Sequence, residues 1–186
     1  MKKILLLVSS LLLIIGLCSC GGEGGLFGSA TPTPIPVVSP TDVLSASDVA
    51  EFVNYEPVLS GDITEKDHTK TAVYVTDPVG GADSVTVKIT QFTDGFSKED
   101  VRNRYDSSKS KRPSAEAVEG LGQDAYIAFP FIHIYDRGCE ITISAGSGSD
   151  EGQKSLLKRM GERAVMNFEK IITSDDAESV SAVTQE

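Results

Sequence analysis

Ser84-Val85-Thr86-Val87-Lys88-Ile89-Thr90-Gln91-Phe92 is the clearest strand signal in the chain. Val85, Val87, Ile89 and Gln91 fall on one face, and Thr86, Lys88 and Thr90 on the other. Side chains alternate along a strand, so this pattern buries one face and wets the other, as in an antiparallel sheet. Residues 71–76 read as a partner strand, joined to it by the loop Asp77-Pro78-Val79-Gly80-Gly81-Ala82-Asp83.

Downstream, Asp94-Gly95 turns the chain. Ser97-Lys98-Glu99-Asp100 then opens a helix, with Ser97 as cap and acids in the first turn. That helix carries Val101 and Tyr105 inward and ends before Pro113. Residues 116–124 read as a loop around Gly120-Leu121-Gly122. Three strands follow at 125–129, 131–135 and 139–145, with Pro130 at a strand end and Asp136-Arg137-Gly138 as a tight turn. A long helix is expected at about 150–172. Leu156, Leu157, Met160, Ala164, Val165, Phe168, Ile171 and Ile172 form its apolar stripe, and Gly161 marks a place where it meets the sheet closely.

Upstream, Val49, Phe52 and Val53 at i, i+3, i+4 predict a short helix at 46–54, capped by Ser45 or Ser47 and ended by Glu56-Pro57. Residues 60–70 read as polar and irregular. The order is helix, two strands, helix, about three strands, helix. It predicts the α+β class: a single antiparallel sheet of about five strands with helices packed on one side, in the manner of a loosely duplicated strand-strand-helix unit.

The N-terminal residues are of another kind. Met1-Lys2-Lys3 is followed by an almost wholly apolar run at 4–17, the pattern of a secretory signal peptide. The run is too short to span a bilayer, which takes about 20 residues. Leu17-Cys18-Ser19-Cys20 at its end resembles the cleavage site of bacterial lipoproteins, with Leu17, Ser19 and Cys20 matching. The resemblance implies that Cys20 becomes the first mature residue and carries a diacylglyceryl group through a thioether. Gly21-Gly22-Glu23-Gly24-Gly25 and then Thr31-Pro32-Thr33-Pro34-Ile35-Pro36-Val37-Val38-Ser39-Pro40 read as a tether, flexible first and extended after. At about 3.1 Å per residue, ten extended residues reach roughly 30 Å. The expected organisation is a signal peptide at 1–19, a tether at 20–41, an α+β domain at 42–172 and a disordered acidic tail at 173–186.

The chain of 186 residues has a formal charge of −10, and loss of Lys2 and Lys3 with the leader takes it to −12. Such a chain gains nothing from counterion release, which sets nucleic acid aside as a partner. Anionic headgroups repel it as well, so membrane contact is expected through the anchor alone. Of three cysteines, Cys18 leaves with the leader and Cys20 is modified, so Cys139 is the only thiol left. No intrachain disulfide and no cysteine-based metal site can form.

Few residues suggest chemistry. Gly152 is separated by Gln153 from Lys154, so the Gly-rich stretch at 146–155 lacks the contiguous Gly-Lys-Ser/Thr of a phosphate loop. Asp62, Glu65, Asp67 and His68 are oxygen-rich but lack the spacing of a calcium loop, and read as a solvated loop. His133, between Phe131 and Tyr135, reads as a structural histidine. No Gly-x-Ser-x-Gly elbow is present, and there are only two histidines, so a hydrolase triad has little material. Arg102, Arg104, Lys109, Lys111 and Arg112 are the one basic cluster on an acidic chain, fit for an anionic wall polymer or an acidic partner.

Ser45-Ala46-Ser47-Asp48-Val49, then Val118-Glu119-Gly120-Leu121-Gly122-Gln123-Asp124-Ala125-Tyr126, then the closing amphipathic helix from Leu156 to Ile172 are phrases of a family. Over about 42–172 the chain resembles small Gram-positive envelope lipoproteins with a domain of unknown function. The resemblance implies a fold like that of photosystem-associated PsbP-type proteins, a sheet flanked by helices, and implies no activity. Together the readings predict a membrane-anchored, extracytoplasmic, non-catalytic binding module without a cofactor, whose partner is an envelope protein or a wall polymer. An accessory subunit of an envelope complex is the alternative, ahead of an envelope enzyme. Nothing in the sequence speaks to oligomeric state.

Overall fold

The computed structural model describes residues 36–76 and 83–183, with side chains to residue 174. Cys20, the leader, the Gly-rich tether and most of the 77–83 loop lie outside the described residues. The elements are α1 (Pro40–Val43), α2 (Ala46–Ala50), β1 (Val58–Leu59), β2 (Thr64–Lys66), β3 (Thr69–Val75), β4 (Ser84–Gln91), α3 (Lys98–Ser110), β5 (Glu116–Ala117), β6 (Asp124–Ala128), β7 (Phe131–Asp136), β8 (Cys139–Ala145) and α4 (Glu151–Val183).

One antiparallel sheet runs β1-β3-β4-β8-β7-β6-β5, with β2 also pairing with β3. It has eight strands where about five were expected. The extra ones, β1, β2 and β5, are two or three residues long and exposed throughout, so they carry no alternation to read. β4 alternates as its sequence demands: Val85, Val87 and Ile89 are at most 1% exposed. They pair into a continuous apolar row, with Val87 opposite Ile143 and Ile89 opposite Ile141, and then Ile143 opposite Ile132 and Ile141 opposite Ile134. α4 lays Leu157, Met160, Ala164 and Phe168 on this row, with Val43, Leu44 and Val49 from the α1–α2 region alongside. Each of these side chains other than Ala164 contributes about 1.5–3 kcal/mol when fully buried.

The expectation that the helices pack on one side is corrected. α3 lies on the opposite face, where its Val101 and Tyr105 meet Tyr126, Ala128 and Tyr135. The reason is in β6 and β7, which are apolar on both faces: Ala125 and Ile127 point to the α4 core, Tyr126 and Ala128 to α3. A strand buried on both sides reads as a continuous apolar run, and needs a cover on each face. With α3 and α4 on opposite faces, a simple strand-strand-helix repeat is also excluded.

Boundaries shift for physical reasons. Residues expected in the tether are docked: Val38 is 1% exposed. Its N–H donates to Gln91 Oε1 at 3.0 Å, and Gln91 Nε2 donates to the Pro36 carbonyl. Ser39 then caps α1 and Ser45 caps α2, each with a reciprocal aspartate. Residues 60–70, expected irregular, hold β2 and its turn into β3, with Asp67 and His68 at φ 50° and 61°. α4 continues to Val183, past the expected end at 172 and into residues expected to be disordered. At Gly161 an added Cβ would lie 3.0 Å from Ile134 Cδ1 and Leu121 Cδ2, so the glycine sets how closely α4 approaches the sheet.

Candidate functional site: the groove beside α3

α3 covers only part of its face of the sheet. It opens with Ser97, whose hydroxyl accepts from the Asp100 N–H while the Asp100 carboxylate accepts from the Ser97 N–H at 2.7 Å. Its aromatic contacts to β6 and β7, with Tyr105 5.3 Å from Tyr126 and 5.7 Å from Tyr135 between ring centres, fix it over one edge. Beside it the second face of β3, β4 and β8 is polar. In register across that face stand Thr69 with Thr90, Thr90 with Glu140, Lys88 with Thr142, and Thr142 with His133.

The result is a groove of about 190 Å³ with a polar floor and a cationic wall. α3 contributes Arg104 and Ser108, the turn just past it Arg112, the sheet Lys88, Thr69, Thr90, Thr142, His133 and Glu140, and Phe131 closes one end. The Thr69 and Thr90 hydroxyls are 2.8 Å apart. A second hollow of about 320 Å³ shares Thr69, Lys88 and Arg104 and continues toward Lys66.

The floor holds a buried pair. His133 Nδ1 is 3.0 Å from Glu140 Oε1 and 3.2 Å from Thr142 Oγ1, with both ring and carboxylate 7% exposed. Tyr126 stacks on the imidazole at 4.6 Å and 11°. His133 Nε2 is buried with no hydrogen-bond partner among the described residues.

The basic cluster divides. Arg102 is bound to Asp106 at 2.8 Å and to Asp124 at 3.2 Å, and Lys109 to Asp124 at 2.8 Å. Arg102 also lies over the Tyr135 ring at 4.9 Å, so these two cations fasten α3 to β6 and β7. Lys111 is exposed and does not line the groove. Arg104 and Arg112 do. Arg104 donates to the Asp67 carbonyl at 2.9 Å, and Arg112 lies 5.6 Å from the Phe131 ring centre. Among the described residues neither they nor Lys88 are paired with a carboxylate. The sequence reading missed Lys88 and the threonines as site residues. For Lys88 and Thr90 the signal was the wet face of the 84–92 alternation, but only α3 crossing that face makes it a wall.

Other candidates have structural occupations. His68 stacks on Phe96 at 4.3 Å and meets Thr93 Oγ1 at 3.0 Å. No group of three or more His, Cys, Asp or Glu stands close enough to hold a metal among the described residues. In the Gly-rich stretch at 146–155, Asp150 accepts from the Gln153 N–H at 2.8 Å, and Lys154 pairs with Glu116. Cys139 is fully buried, and burial, aided by Asp136, pushes its thiol up to about 12, so it stays protonated and unreactive. A larger hollow of about 530 Å³ lies between the Gly120–Gly122 loop and α4. It is lined by Asp136, Glu162 and Glu169 with Arg137, and no set of donors converges there. Gly122 serves that loop structurally: at φ 58°, an added Cβ would lie 2.9 Å from Ile134 Cγ2.

No helix among the described residues is long and apolar enough to cross a membrane. Comparison with known protein families, curated proteins and solved structures finds no match. The fold defines an α+β protein built on one antiparallel sheet.

Proposed function

We propose that this chain is a lipoprotein anchored through Cys20, whose α+β domain acts on the extracytoplasmic side as a non-catalytic binding module with the groove beside α3 as its ligand site. One observation carries the reading: Lys88, Arg104 and Arg112 line a single recess on an otherwise acidic molecule. Cations focused in a recess attract an anion more strongly than the same charges spread over a surface. The leader and cleavage motif supply the anchor, and the Gly- then Pro-rich stretch supplies reach from the membrane. The anionic polymers of a cell wall are a fitting ligand class.

A protein partner is the second reading. Val58, Leu59 and Ile63 beside the β1 and β2 edge are 36–46% exposed, which leaves apolar side chains for a partner to cover. This would make the chain an accessory subunit of an envelope complex.

Retention of the detergent-extracted protein on purified wall material tests the first reading. Arg104→Glu with Arg112→Glu is expected to lower retention, and Lys111→Glu to leave it unchanged. Equal retention of all three proteins would remove the groove from consideration, and a stoichiometric copurifying protein would favour the second reading. For the anchor, Cys20→Ser should leave an uncleaved or soluble form. A variant that fractionates and migrates as wild type contradicts lipidation.

A further inference from the structure

With the groove as the ligand site proposed above, we infer that its ligand is a hydroxyl-bearing chain with two or more anionic groups, laid across the strands from Lys66 to Arg112, because two adjoining hollows form one trough that no single small anion can fill. The inner hollow, of about 190 Å³, and the outer one, of about 320 Å³, share Thr69, Lys88 and Arg104. Arg104 stands at the seam, where its bond to the Asp67 carbonyl at 2.9 Å holds the guanidinium by the turn between β2 and β3. Lys66, on β2, lines only the outer hollow, and Arg112, beside Phe131 on β7, lines only the inner one. From one end to the other the strands run β2-β3-β4-β8-β7. Four strand spacings of about 4.8 Å put roughly 19 Å of sheet between the two ends.

Charge and lining narrow that chain. Lys66, Lys88, Arg104 and Arg112 share the trough with two carboxylates, Asp67 and Glu140, so it carries two net positive charges along its length. Cations spaced along a trough complement anionic groups spaced along a ligand, and a single compact anion meets only some of them. Between the cations the floor is made of hydroxyls. Thr64 stands opposite Thr71, Thr71 opposite Lys88, and Thr69 opposite Thr90. A threonine hydroxyl offers one hydrogen and two lone pairs, so the Thr69–Thr90 bond at 2.8 Å leaves acceptor positions on both. Among the described residues Phe131 is the only apolar side chain in the lining of either hollow. A peptide finds little apolar seat on such a floor, whereas the hydroxyls of a polyol find partners.

Titration calorimetry of the detergent-solubilised full chain with glycerol phosphate, its phosphodiester-linked tetramer, and a glutamate peptide of the tetramer's charge is the test. The tetramer should bind about a hundredfold tighter than the monomer, because each further group binds at the effective concentration set by the first. Lys66 is exposed on β2, so Lys66→Ala should fold normally, weaken tetramer binding about tenfold and leave monomer binding unchanged. Arg112→Ala should weaken both. Lys111→Ala removes an exposed cation that lines neither hollow and should change neither. The glutamate peptide should bind about tenfold more weakly than the tetramer. Equal affinity per phosphate for monomer and tetramer, or tetramer binding indifferent to Lys66→Ala, overturns the chain and leaves the groove as a single-anion site. An equal loss from Lys66→Ala and Lys111→Ala overturns the path along the trough, and equal binding of the glutamate peptide overturns the hydroxyl-bearing class in favour of an acidic peptide. Absence of binding by every probe overturns the inference, and wall retention of the charge-reversed variants then decides separately whether the groove is a site.

Discussion

Asp48 shows how one side chain ties the first helices to the last. Its carboxylate accepts from the Ser45 hydroxyl at 2.6 Å, the Ser45 N–H at 3.0 Å and Arg163 Nη1 at 2.7 Å. Burial pushes the carboxyl up, but the two bonds from Ser45 and the Arg163 guanidinium outweigh it and hold the group below its ordinary value of 3.8. Between the two values the unfolded chain binds more protons than the native one. The stabilisation is therefore complete above about 3.8 and is lost as the pH falls through the native value. Asp48→Asn should cost about 1–2 kcal/mol at pH 7, from weakened charge-assisted bonds, with the gap to wild type closing below pH 3.8. Urea unfolding of both proteins across that range checks it, and a gap independent of pH would contradict it. In the sequence Ser45 was legible as one of two candidate caps, beside Ser47. The reach of Asp48 to Arg163 was not, since it depends on how α4 docks. The His133–Glu140 pair was hidden for a similar reason: it exists only through the register of β7 against β8.

Elements were legible in proportion to their periodicity. β4, α3 and the body of α4 follow from alternation, a capping box and an apolar stripe. The two- and three-residue strands have no period, and pairing alone makes them strands. The side on which α3 packs is hidden in the sequence, because the short apolar runs of β6 and β7 do not tell which helix covers which face. Gly161 is the element-scale test of close packing. Alanine there adds up to about 1 kcal/mol of helix propensity. Its methyl, however, must fit among Ile134, Leu121 and Ile132 tips at 3.0–3.2 Å. Overpacking a filled core costs about 1–3 kcal/mol, so Gly161→Ala should be net destabilising by about 1 kcal/mol. A raised thermal midpoint would show that α4 can lift from the sheet without loss.

At the scale of the molecule, an acidic chain brings three cations that have no carboxylate partner among the described residues, Lys88, Arg104 and Arg112, into one recess. The sheet is wider than the single helix on its second face, so the strands beyond α3 keep a wet surface, and the helix edge turns that surface into a groove. Composition weighs against nucleic acid as a partner but does not show this grouping of charge, which arises from distant segments: Lys88 on β4, Arg104 on α3 and Arg112 just past it. The docking of residues 36–41 beside Gln91 likewise follows from tertiary contacts in a stretch whose composition reads as tether. An amide NMR titration of the detergent-solubilised full chain with inorganic phosphate tests the groove most directly. Shifts confined to Thr69, Lys88, Thr90, Arg104, Arg112 and Thr142 are expected. Shifts gathered instead around Gly120–Gln123 and Glu162, or none at all, would contradict the assignment of the groove as the binding site.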